Sequence, residues 1–166
     1  MFDFADRLVE KGHEVRMPNL FGTPLTGGLS NLGHDFAGFC IRREFAVLAR
    51  RRTSPVIGWL RALARQFASD LDAEGVGVVG MCFTGGFALA MMADAPVLAP
   101  VLAEPSLPFR LGWTRSARDA DDAALAMAPS DLDRACARAT DVIGLRYAGD
   151  RLVGTRFETL TGVLRE

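Results

Sequence analysis

The sequence predicts an α/β fold, a three-layer α/β/α arrangement in which helices cover both faces of a mostly parallel, doubly wound sheet. Three observations predict it. Strand-like and helix-like segments alternate along the chain. Gly77-Val78-Val79-Gly80-Met81 is an apolar run bounded by glycines and too short for a helix, which suits a strand buried on both faces. Gly85 to Asp94 then has the composition of a close-packed helix, and a second apolar run, Val97 to Ala103, follows it.

Taken in order, Asp3 caps a short first helix in which Phe4, Ala5, Leu8 and Val9 share a face, and Gly12 stops it. His13 to Leu20 reads as a strand, followed by a Gly-, Thr-, Pro- and Asn-bearing loop from Phe21 to about His34. A long helical stretch comes next, broken at Thr53-Ser54-Pro55, where Ser54 can cap and Pro55 can take the first helical position. Beyond the break, Trp59, Leu60, Leu63, Phe67 and Leu71 recur at helical spacing and predict a buried stripe. After the central β-turn-α-β unit, Glu104 to Pro129 is irregular and carries three prolines. It reads either as an excursion over the active face or as a connection. Ser130 caps a helix through Leu132, Ala135 and Ala139, Asp141 to Tyr147 forms a further strand, and Thr155-Arg156-Phe157-Glu158 is a capping box opening the last helix. In such a sheet the ligand site lies at the carboxyl ends of the strands.

The 166 residues, 49% hydrophobic and 23% charged, suffice for one domain with a real core and not for two. A formal net charge of −1 offers no basic surplus for nucleic acid or anionic membranes. No apolar segment reaches the roughly 18 residues needed to cross a bilayer, and Met1-Phe2-Asp3-Phe4 does not open a signal peptide, so a cytoplasmic protein acting on a small molecule is expected. Three cysteines at spacings unlike a metal or disulfide framework point to reduced thiols. The two histidines are too far from them in sequence for zinc, and no cofactor is expected.

Val78-Val79-Gly80-Met81-Cys82-Phe83-Thr84-Gly85-Gly86 sets a nucleophilic side chain between a buried strand and a small-residue helix, the pattern of a nucleophile elbow. Such a turn strains the nucleophile's backbone and needs small residues where strand and helix nearly touch, which Gly80, Gly85 and Gly86 provide. The amino end of a helix favours a thiolate, and the Phe83 N–H can donate to a developing oxyanion. Thr84 departs from the G-x-S-x-G template, whose glycine at that place tolerates a tighter turn than a β-branched residue. Other readings stand beside this one. Free cysteines commonly pack in cores. Clustered glycines can also cradle a phosphate, although the G-x-G-x-x-G spacing is missing. For Cys40 and Cys136, in helical contexts without glycine support, packing is the expectation.

Gly80-Met81-Cys82-Phe83-Thr84-Gly85-Gly86 resembles the cysteine elbow of the dienelactone hydrolases, members of the α/β-hydrolase superfamily. Ala5-Asp6-Arg7-Leu8 through Pro18-Asn19-Leu20-Phe21-Gly22 is similar to that family's early helix and strand. Leu145-Arg146-Tyr147-Ala148-Gly149-Asp150-Arg151-Leu152-Val153, with Arg156-Phe157-Glu158-Thr159-Leu160, resembles the strand end and helix that bear its acid. The resemblance implies an incomplete α/β-hydrolase fold that attacks an ester or lactone carbonyl with Cys82, while Asp150 orients a histidine. From its position alone, Gly149-Asp150 is also ordinary turn chemistry.

In this fold the histidine follows the acid, and none follows Asp150. His13 begins its strand and so falls on the opposite sheet edge; His34 lies on the correct edge but precedes the nucleophile and has no nearby acid. The family's first strands also lack counterparts ahead of the opening helix. The expectation is therefore a chain truncated at both ends, with a reactive thiol and weak or absent turnover. The competing expectation is a non-catalytic remnant that serves as a binding or assembly module and forms oligomers through exposed sheet edges.

Overall fold

The computed structural model describes residues 2–20, 54–94, 96–106, 114, 116, 125, 127–138, 141–150 and 152–164. They fall into two compact units, Met1–Ile41 and Arg42–Glu166.

In the first unit, α1 (Phe2–Glu10) carries Asp3 in its first turn. Gly12 stops it in a left-handed conformation, φ +86°, while the N–H groups of Gly12 and His13 close onto the carbonyls of Val9 and Leu8. His13 to Leu20, read from sequence as a strand, lies outside any helix or strand. A strand exists only through its ladder, and among the described residues no partner pairs with this segment. The loop from Phe21 to His34, His34 itself and Cys40 lie outside the described residues.

Among the described residues of the second unit, the first helix is α2 (Pro55–Asp70). Ser54 is extended, Pro55 takes the first helical position, and the Ile57 N–H reaches the Ser54 carbonyl at 2.9 Å; the Ser54 side chain makes no cap bond. Of the expected stripe, Leu60 is buried, on a face with Ile57, Arg61, Ala64 and Ala68; Leu63 and Phe67 are half-buried, and Trp59 and Leu71 are 49% and 44% exposed. Small side chains at Ala64 and Ala68 line the buried face, a pattern that weighting by large apolar residues overlooks. α2 then packs on a later helix through Arg61, whose guanidinium donates to the Ala90 carbonyl.

β1 (Val76–Met81) runs through a 3₁₀ turn, Cys82–Thr84, into α3 (Gly85–Met91) and on to β2 (Val97–Ala103). β1 and β2 pair in parallel from Gly77 with Ala99 to Met81 with Ala103. β2 pairs in parallel with β3 (Ile143–Leu145), a shorter strand than the sequence predicts, and the order is β1-β2-β3. Helices joined to a three-stranded parallel sheet make this an α/β structure. Residues aligned across a parallel ladder point to one face. Leu102 is buried on one face beside Gly86 and Leu89 of α3, while Val79 and Ile143 on the other face are exposed.

α4 (Pro129–Arg138) starts one residue before the expected cap. Pro129 takes the first helical position, and Ala128, not Ser130, supplies the carbonyl that accepts from Asp131 and Leu132. α5 (Arg156–Val163) lacks the predicted capping box: Thr155, at φ −101° and ψ 21°, is not in the extended region that aims a cap side chain, and it makes no cap bond. Glu158 reaches Arg146 instead, at 3.3 Å.

Candidate active site

The strand ends extended at Met81 (φ −121°, ψ 137°), and Cys82 then turns to φ +53°. For a residue with a Cβ, that left-handed conformation costs of order 1–3 kcal/mol and persists only where the surroundings enforce it. Two glycines enforce it through close approach. A Cβ on Gly80 would lie 2.1 Å from the Thr84 carbonyl oxygen, and one on Gly85 would lie 2.6 Å from the Pro105 Cα. Thr84 closes the turn rather than loosening it. Its φ of −90° and ψ of 0° are open to any L-residue, so no glycine is needed there. Its hydroxyl accepts the Met81 N–H and donates to the Met81 carbonyl, both at 2.9 Å.

Cys82 is exposed. Its Sγ lies 3.3 Å from the Ser106 Oγ, and the Ser106 N–H donates to the Cys82 carbonyl at 3.2 Å. Ser106 is 3% exposed. The chain reaches Ser106 by turning at Glu104, a second left-handed residue with φ +51°. Glu104 ties the carboxyl ends of β2 and β3 together: its N–H donates to the Leu145 carbonyl at 2.8 Å, and its Oε1 accepts the Tyr147 N–H at 3.0 Å. Sequence reasoning missed both Ser106 and Glu104, because the segment from Glu104 onward reads as irregular. The available signal was position, immediately beyond a predicted strand on the edge where ligands bind.

Asp150 follows β3, and its carboxylate serves its own turn, with Oδ1 accepting the Leu152 N–H at 2.7 Å and its N–H donating to the Tyr147 carbonyl at 3.2 Å. Among the described residues, no hydrogen bond joins it to Cys82 or Ser106. Phe83 occupies the second position of the 3₁₀ turn and is half-buried. Cys136 is a free, half-buried thiol on α4, pushed above its ordinary value first by burial and then by the Asp133 carboxylate. His13 is exposed, and it belongs to the first unit.

Among the described residues, no cluster of three or more His, Cys, Asp or Glu side chains could hold a metal ion, and no helix is long and apolar enough to cross a membrane. A groove of about 410 Å³ lies between β3 and α5, against Gly144, Leu145, Phe157 and Leu160, and Cys82 does not line it. No family model, curated protein or solved structure matches the chain.

Proposed function

We propose that this chain is an ester or lactone hydrolase of the dienelactone-hydrolase kind, acting on a small molecule in the cytoplasm. In this reading the parallel sheet belongs to a three-layer, doubly wound α/β-hydrolase fold. Cys82 is the nucleophile, the Phe83 N–H the oxyanion donor and Asp150 the acid. The observation that carries the reading is the left-handed backbone of Cys82 at a strand-to-helix turn, with the thiol exposed.

The thiolate attacks the carbonyl carbon, and the electron pair of the carbonyl moves onto oxygen, where a backbone N–H stabilises it. Collapse of this intermediate breaks the ester C–O bond. The alkoxide leaves and takes a proton from solvent, and the acyl group stays on Cys82 as a thioester. Water hydrolyses the thioester and restores the thiol. Among the described residues the Cys82 thiol is hydrogen-bonded to the Ser106 hydroxyl and to no histidine, and a thioester formed without a positioned base is hydrolysed slowly. Acylation of Cys82 is therefore expected to outrun turnover.

p-Nitrophenyl acetate with peptide-resolved mass spectrometry tests this. The expected result is an acetyl group on Cys82 that forms faster than on the urea-unfolded chain and is lost in Cys82→Ala. Acetylation no faster than in the unfolded chain sinks the proposal.

A second reading, a binding or assembly module, is favoured by Leu98, Ile143 and Leu145, strand side chains each more than half exposed. Sedimentation velocity decides it, since a monomer at all concentrations that is acylated at Cys82 contradicts the module.

A further inference from the structure

We infer that Ser106 is a positioning residue for the Cys82 nucleophile, holding it at two points across the β1–β2 boundary. The inference rests on the reading of Cys82 as nucleophile.

The first point is the side chain. A buried hydroxyl needs a hydrogen-bond partner, and among the described residues Cys82 Sγ is the partner of the Ser106 hydroxyl. With a neutral thiol, either group can donate. Once the thiol loses its proton, sulfur only accepts, and the hydroxyl turns to donate. A bond to an ionised acceptor is about twice as strong as its neutral counterpart, so the contact favours the thiolate over the thiol.

The charged groups nearby do not supply the same effect. β1, α3 and β2 carry no ionisable side chain. Glu104 and Asp150, after β2 and β3, are anionic and oppose a further negative charge, and their carboxylates are engaged by the N–H groups of Tyr147 and Leu152. On α2, which also packs on β1, Arg61 and Arg65 are paired with Asp94.

The second point is the backbone. The Ser106 N–H and, within the 3₁₀ turn, the Gly85 N–H both donate to the Cys82 carbonyl, and a peptide is planar, so these bonds together set the direction of the Phe83 N–H on the opposite side of the same plane. Ser106 thus meets the attacking sulfur directly and shares with Gly85 the hold on the peptide that carries the proposed oxyanion donor. Replacing the side chain removes the first point and keeps the second.

The test is iodoacetamide alkylation of the full chain and of Ser106→Ala, followed site by site at Cys82 across a pH series. The expected result is that alkylation of Cys82 near neutral pH is several-fold slower in Ser106→Ala than in the parent. At the alkaline end its rate equals or exceeds that of the parent, because a thiolate relieved of a hydrogen bond is the stronger nucleophile. Ser106→Thr, which keeps the hydroxyl, returns the profile toward the parent. A Ser106→Ala profile that superimposes on the parent overturns the inference. Should the alanine variant not fold, Ser106→Thr against Ser106→Val, which differ in the hydroxyl alone, carries the same comparison. Ester acylation separates the two proposals: Cys82 acylated with an unmoved Ser106→Ala profile sinks the positioning role alone. A shifted profile without acylation shows that the Ser106 hydroxyl tunes the thiol but sinks the nucleophile reading, and the positioning role with it.

Discussion

Gly80 and Thr84 meet backbone to backbone: a Cβ on Gly80 would fall 2.1 Å from the Thr84 carbonyl oxygen and 2.8 Å from its carbonyl carbon. No rotamer relieves such a contact, so Gly80→Ala must move the end of β1 away from the turn that carries Cys82. The expected cost is about 3 kcal/mol or more in urea unfolding. Gly58→Ala is the contrasting case, because its Cβ would meet nothing within 4 Å on an exposed helical position. It is expected to stabilise by about 0.5–1 kcal/mol.

Thr84 satisfies both backbone groups of Met81 through one hydroxyl. Thr84→Val keeps the shape and loses both bonds, at an expected cost of about 1–3 kcal/mol, whereas Thr84→Ser stays within about 1 kcal/mol of the parent. Equal stability of the two variants in chemical denaturation would contradict this account of the turn.

Arg61 joins three helices from a buried position. Its guanidinium donates to the Ala90 carbonyl, meets Asp94 at 3.0 Å and meets Asp131 at 3.1 Å, while Asp131 is 4% exposed and also bonds Arg134. Removing one partner of a buried pair leaves the other charge under-compensated, so Arg61→Met is expected to cost about 3–5 kcal/mol. Arg61→Met with Asp131→Leu is expected to recover part of that loss, and a double-mutant cycle measures how much.

The two described thiols differ in surroundings. Burial and the Asp133 carboxylate hold the Cys136 value above its ordinary level, so the reactive thiolate is scarcer there as pH rises toward the usual cysteine range. Site-resolved alkylation at mildly alkaline pH is expected to label Cys82 well before Cys136. Asp133→Asn removes the second of the two causes and is expected to speed labelling of Cys136 without changing Cys82.

The β1-turn-α3-β2 unit was legible because its signals are local. An apolar run too short for a helix, glycines on both sides of Cys82 and a second apolar run are all within one stretch of chain, and the ladder runs from Val76 to Ala103. Other readings failed where the deciding partner is remote or the dihedral angle is set by packing. His13 to Leu20 has strand-like residues and no ladder among the described residues. The face that α2 buries contains Ala64, Ala68 and an arginine. The Thr155 cap depends on a backbone angle that the Thr-x-x-Glu pattern does not reveal.

The sequence by itself determined that a cysteine stands at a strand-to-helix turn flanked by glycines, because steric need at close backbone contacts shows in residue size. Only the tertiary structure decided what touches that cysteine. Ser106 is 24 residues away in the chain and reaches Cys82 through the parallel register of β1 and β2 and the turn at Glu104. The same register places Glu104 beside β3 and leaves Asp150 in its own turn. Contacts of this kind follow from how strands align, and alignment is settled by the whole sheet rather than by any one segment.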